Sequence, residues 1–261
     1  MKYFDSHAHY YDERFENELT EGVDELIGAL LSGSVSYIVN VGTMPSTSRA
    51  AIAQAKKFPN MYSTVGIHPG DTRFLSDMDS ELAECCALIR DKENKCVCLG
   101  EIGLDYHYPD TDRENQMRYF RAQMCLAREL DMPVSIHDRE AHEDVMAVLR
   151  EYPTVRGVMH SFSGSAEMAR ELVRMGYMVS FSGTLTFTNA RRPKEAAAAV
   201  PRDMVLIETD APYLAPHPLR GSLNHSGNLK YTNATLAAIL GISEEECAIL
   251  TEENARRFYG I

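Results

Sequence analysis

The sequence predicts an α/β protein, one domain over 1–261, built as a single (β/α)8 TIM-type barrel with extra C-terminal helices. Three observations carry this. Short apolar runs rich in Val, Ile and Tyr alternate with helix-periodic segments over almost the whole chain. Eight such runs occur, and eight parallel strands joined by helical crossovers close naturally into a barrel. The length of 261 residues suits a fold that typically takes about 250. An open doubly wound sheet is the alternative, but it more often shows a Gly-rich phosphate turn after its first strand. Here that strand runs into His7-Ala8-His9.

The elements follow in order. The first strand, 2–4, leads directly into the histidines, and a helix over 18–31 follows with apolar residues at helical spacing. Strand 36–41 precedes an Ala-rich helix at 47–57; strand 62–66 precedes a helix at 81–90. Strand 97–101 precedes the helix at 113–130, whose methionines belong to the core and not to a cofactor box. Strands 134–137 and 157–160 alternate with helices 143–152 and 166–175, and strand 177–181 with a short Ala-rich helix at 193–200. After strand 205–209 a polar loop broken by Pro and Gly covers 211–230. Two helices close the chain, the last opening on a capping box from Ser243 to Glu246.

Composition is that of an ordinary globular chain, 44% hydrophobic and 25% charged. Met1-Lys2 leads into Tyr3 without the apolar stretch of a secretory leader. No run approaches the roughly 20 apolar residues of a membrane span, so a cytoplasmic protein with no membrane partner is expected. Cys85, Cys86, Cys96, Cys98, Cys125 and Cys247 form neither a CxxC pair nor a disulfide framework, which predicts reduced, mostly buried thiols. A net charge of −12 counts against a broad basic surface for duplex DNA. It leaves room for a nucleic acid held by metal ions in a cleft.

Chemistry-bearing residues collect where the strands end. His7 and His9 project side by side from the first strand with Asp5 behind them, because alternate strand residues share a face. "GIHPGD" delivers His68, "CVCLGEIGLDY" Glu101, "PVSIHDRE" His137, "GVMHSFSG" His160 and "VLIETDAPYL" Asp210. Barrel enzymes build their active sites on that C-terminal face. Four imidazoles and two carboxylates are too many for one tetrahedral ion and suit two divalent ions. Glu101, with two oxygens and a central position, is the natural bridge. Nitrogen-rich ligation favours Zn, Mn, Co, Ni or Fe over Mg. Asp210 can both bind an ion and accept a proton from water. The expected reaction class is hydrolysis.

These segments, with "ETDAPYLAP" followed by "RG", resemble the TatD family of metal-dependent deoxyribonucleases within the amidohydrolase superfamily. The resemblance runs from the first strand to the final helix. It implies a TIM-barrel-like fold, two divalent ions and hydrolysis of DNA, often from a 3′ end, with single-stranded or frayed ends as the substrate. Carried over by position, it implies that His7, His9, Glu101, His137, His160 and Asp210 are metal ligands, that Asp210 is also the base, and that His68 meets a substrate phosphate. Glu101 stands where some superfamily members use a carboxylated lysine. After Arg220 the chain reads "GSLNHSGNLKYT", keeping Asn224 but lacking the basic residue and the proline frequent in the family; Ser161 replaces a frequent cysteine.

Of the remaining residues, Glu208 is expected to face the site and orient a ligand. Cys96 and Cys98 should point to the helix layer by alternation. Arg139 and Arg220 are candidate phosphate contacts, and Tyr106, Phe162 and Tyr213 either stack on bases or pack. His107, in "LDYHYPD", either touches substrate or is an exposed loop histidine, while His142, His217 and His225 read as ordinary loop or helix-end residues. The competing functions are a hydrolase of small amides, esters or lactones using the same metals, and a binding module without turnover.

Overall fold

The computed structural model describes residues 1–261. Eight strands pair in chain order, all in parallel: β1 (Tyr3–Ala8), β2 (Val35–Val41), β3 (Met61–Val65), β4 (Cys96–Asp105), β5 (Val134–Arg139), β6 (Gly157–Met159), β7 (Met178–Phe181) and β8 (Val205–Ile207). The ends of this sheet meet through a bridge between Ala8 and Ala211, where His9 N donates to Ala211 O at 2.7 Å and Asp210 N to His7 O at 2.9 Å. The nearly closed barrel is the expected (β/α)8 fold. No helix is long and apolar enough to cross a membrane.

Helices α1 (Glu13–Glu18), α2 (Val23–Ser32), α3 (Pro45–Lys57), α4 (Met78–Arg90), α5 (Arg113–Leu130), α6 (His142–Glu151), α7 (Ala166–Arg174), α8 (Arg191–Ala199), α9 (Leu229–Leu240) and α10 (Glu244–Tyr259) complete it. The helix expected over 18–31 begins later, as α2 at Val23, and the short helix α1 precedes it. The side chain of Asp12 caps α1 by accepting from Arg14 N, Leu19 turns extended, and Gly22 opens α2, whose first turn carries Asp24 and Glu25. The capping box is present: Glu246 N donates to Ser243 Oγ at 3.1 Å and Ser243 N to Glu246 Oε2 at 2.9 Å.

The barrel floor is apolar. Phe4, Val39, Val41, Cys98, Val158, Met178 and Leu206 form one cluster, and only the barrel interior brings side chains of β1, β2, β4, β6, β7 and β8 together. Phe258 and Tyr259 of α10 join this cluster, and the Tyr259 hydroxyl donates to Ser6 O at 3.0 Å. The C-terminal helix thus plugs the bottom and leaves the polar strand ends gathered at the top. Cys98 therefore does not share the helix-facing side with Cys96, which packs on the outer core. The pairing of β3 with β4 shifts register between Cys96 and Cys98, which face the consecutive residues Ser63 and Thr64, and this breaks strict alternation at this point.

Candidate metal centre

β4 also runs further than its apolar pattern indicates, to Asp105, while β6 and β8 stop short of His160 and Asp210. Glu101 is thereby held in the middle of the barrel mouth, buried, with histidines on both sides. Its two oxygens face different partners. Oε2 lies 3.4 Å from His7 Nε2 and 3.7 Å from His9 Nε2. Oε1 lies 2.7 Å from His137 Nδ1 and 2.8 Å from His160 Nε2. Asp210 Oδ1 joins the first group, 3.4 Å from His9 Nε2 and 3.7 Å from His7 Nε2. The residues proposed from sequence as ligands are all brought together.

The donor set fits divalent metal. Four ligands around a tetrahedral ion at 2.0–2.1 Å sit roughly 3.3–3.4 Å apart. His7 Nε2 and His9 Nε2 are 3.1 Å apart, and with Glu101 Oε2 and Asp210 Oδ1 the measured edges run from 3.1 to 3.7 Å. Glu101, His137 and His160 form a second, tighter group.

The far nitrogens of three of the four histidines are held by the protein, as ligating histidines require. His9 Nδ1–H donates to Val41 O at 2.8 Å, and His160 Nδ1–H to Glu208 Oε1 at 2.9 Å. His137 Nε2 faces Asp105 Oδ2 at 3.3 Å. Each contact leaves the other ring nitrogen aimed at Glu101. His7 Nδ1 is buried without a hydrogen-bond partner. Glu208 thus takes the orienting place expected of it. Asp105 was not singled out by the sequence pattern, although it lies four residues beyond Glu101, at a spacing that keeps a strand residue on the same face.

His68 differs from the ligand candidates. Its Nδ1 accepts from Gly70 N at 3.0 Å, so the ring proton sits on Nε2, 3.9 Å from Glu101 Oε1. Burial, assisted by neighbouring His137, lowers its pKa to about 3, which keeps it a neutral donor. Burial pushes the pKa of His137 down too, but Asp105 and Glu101 outweigh it and hold the ring up at about 9. Although burial favours protonated carboxyls, the surrounding imidazoles keep Glu101 well below its usual range, and His9 and His160 likewise lower Asp210. Both are carboxylates, ready for a cation.

Behind the histidines, Asp5 ties β1 to the end of β8. Its carboxylate accepts from Thr209 N at 2.9 Å, Thr209 Oγ1 at 2.6 Å, Ser226 Oγ at 2.6 Å and His7 N at 3.3 Å. Burial raises its pKa to about 6 against these bonds. The network fixes the two segments carrying His7 and Asp210 relative to each other.

The other candidates divide. Arg139 is exposed at the rim, its Nη1 4.0 Å from Asp105 Oδ2. Arg220 is outside the cluster, over the Phe187 ring at 4.3 Å. Phe162 is buried against Phe181, and Tyr106 donates its hydroxyl to Asp144, so both pack. Tyr213 stays exposed and donates to Asp12. His107 meets Glu140, His142 meets Asp138, and Asn224 Nδ2 donates to Thr209 O and Tyr213 O.

Comparison with known proteins accords with this geometry. Residues 4–260 match the family described as TatD related DNase. YabD of Bacillus subtilis, described as an uncharacterized metal-dependent hydrolase, is 38% identical over 261 residues, 99% of either chain. YcfH of Escherichia coli K12, described likewise, is 34% identical over 260 residues, which cover 98% of this chain and 95% of its own. The crystal structure of YjjV, a TatD homolog from E. coli K12, superposes with a TM-score of 0.88 at 25% identity, over 99% of this chain and 98% of that one.

Proposed function

The chain belongs to the TatD-related family of metal-dependent hydrolases, and from that premise we propose that it cleaves phosphodiester bonds in DNA, from the 3′ end of single-stranded or frayed strands. The observation that carries the reading is Glu101, whose two oxygens address two separate nitrogen sets. His7, His9 and Asp210 with Oε2 would hold one divalent ion, and His137 and His160 with Oε1 a second, of the Zn, Mn, Co, Ni, Fe or Mg class. Bound there, such ions would supply Lewis-acid activation of a phosphoryl oxygen and of water.

The chain's own groups do the rest. Asp210 turns Oδ1 toward His7 and His9, leaving Oδ2 to take the proton of the attacking water. His68 offers its Nε2–H to a non-bridging phosphate oxygen. Arg139 and Arg220 supply guanidinium groups to flanking phosphates. Six free cysteines suit a reducing compartment, which favours the cytoplasm.

The test is digestion of a 3′-labelled single-stranded oligonucleotide by chelator-treated protein, with Mg, Mn or Zn restored in turn. Cleavage restored by metal and absent from Asp210→Asn supports the reading. The second reading, a hydrolase of small amides, esters or lactones, is favoured by the net charge of −12 and the loop after Arg220. Turnover of such compounds by protein that leaves DNA intact with every metal replaces the nuclease.

A further inference from the structure

Two cavities share one lining residue, Phe187. The larger, about 520 Å³, is lined by Ser163, Thr184, Asn189, Arg191 and Arg192 as well as Phe187. The smaller, about 330 Å³, is lined on its other sides by Arg14, Tyr213, Leu214, Arg220 and Ser222 among others. Neither is lined by a proposed ligand, but each borders a chain segment that carries one. Ser163 follows His160 by three residues, and Tyr213 N donates to Asp210 O at 2.9 Å.

From these features we propose that the paired cavities form a groove for a single-stranded nucleic acid, holding the phosphates and bases next to the strand end that enters the metal centre. This rests on the nuclease reading of that centre and adds the path of the strand to it.

Four observations argue for this occupant. Each cavity is of the size that takes a small organic group. Each joins arginines to an aromatic ring, and alternating cation and aromatic surface is how proteins hold single strands without reading sequence. Arg220 lies over Phe187 at 4.3 Å and, like Arg192, pairs with no carboxylate, in a chain that carries 38 acidic residues. Arg191 and Arg14 are already engaged by Glu195 and Glu18, so the free pair carries the assignment. Finally, the rim across the mouth is mixed, with Glu140, Asp110 and Asp112 among Arg113 and Arg139, whereas no carboxylate lines either cavity beside Phe187.

The experiment is binding of 5′-fluorescein octathymidylate, read by anisotropy across a salt series with Mn present. Asp210→Asn serves as the background so that the strand stays whole. Arg192→Ala and Arg220→Ala are each expected to weaken binding roughly tenfold at low salt, and each to lower the salt slope by about 0.7, the contribution of one phosphate contact to a single strand. The double variant should lose about 1.4. Phe187→Leu should weaken binding while leaving the slope intact, because it removes stacking and no charge. Cleavage of the same strand by the wild-type protein is scored separately. Arg-dependent binding without cleavage keeps the groove and removes the nuclease. Cleavage with an unchanged slope in the double variant, or no binding at all, overturns the groove.

Discussion

Glu208 Oε1 accepts the Nδ1 proton of His160 at 2.9 Å and, with the same oxygen, the backbone N–H of Ser161 at 2.7 Å. Both residues are buried. The carboxylate therefore fixes which nitrogen of His160 is free and where it points. Glu208→Ala should weaken Mn or Zn affinity about 10- to 100-fold, measured by competition with a fluorescent chelator. Glu208→Gln should recover most of the loss, since its amide oxygen still accepts from His160. Equal affinity in the Ala variant would remove Glu208 from the site.

Asp105 stands in the same relation to His137, 3.3 Å from Nε2. Asp105→Ala frees that ring to rotate, so turnover of a labelled oligonucleotide should fall by about 10²-fold, with a small change in KM. Asp105→Asn, which can still accept from Nε2, should sit between the Ala variant and the wild type. Steady-state kinetics with circular dichroism as a folding control checks this.

Removing Asp5 leaves Thr209, Ser226 and the His7 amide without their buried acceptor. The expected cost of Asp5→Ala is about 3 kcal/mol of stability, read as a shift in the urea midpoint. A change near zero would show that water replaces the carboxylate freely.

His142, at the start of α6, lies 2.7 Å from Asp138 Oδ2, and that contact raises its pKa against partial burial and the Arg192 charge. A histidine whose folded pKa is raised stabilises fully below its unfolded value near 6.5, and loses that contribution as pH rises through the folded value. The Tm gap between wild type and His142→Ala should therefore be widest below about pH 6.5 and narrow as the solution turns alkaline. A gap that widens toward high pH would contradict the ion pair.

Much of this was legible in the sequence because the barrel puts its chemistry at strand ends. His7, His9, Glu101, His137, His160 and Asp210 each close an apolar run, and chain order alone predicts their meeting. What escaped depends on geometry that periodicity does not carry. The register shift of β4 against β3 parts Cys98 from Cys96, and the extension of β4 brings in Asp105. The short α1 rests on a cap at Asp12, and α2 starts only after Leu19 has turned extended and Gly22 has opened it. Phe187 and Arg192 precede β8 while Arg220 follows it, and only the closed barrel sets them at one rim.

The most direct test of the central role given to Glu101 is an anomalous-difference map from crystals grown with Mn. Two peaks about 3.5–4 Å apart are expected, one near His7, His9 and Asp210 and one near His137 and His160, with a different oxygen of Glu101 toward each. A single peak, or two peaks that leave Glu101 bound to only one of them, would contradict the bridge and the two-ion reading with it.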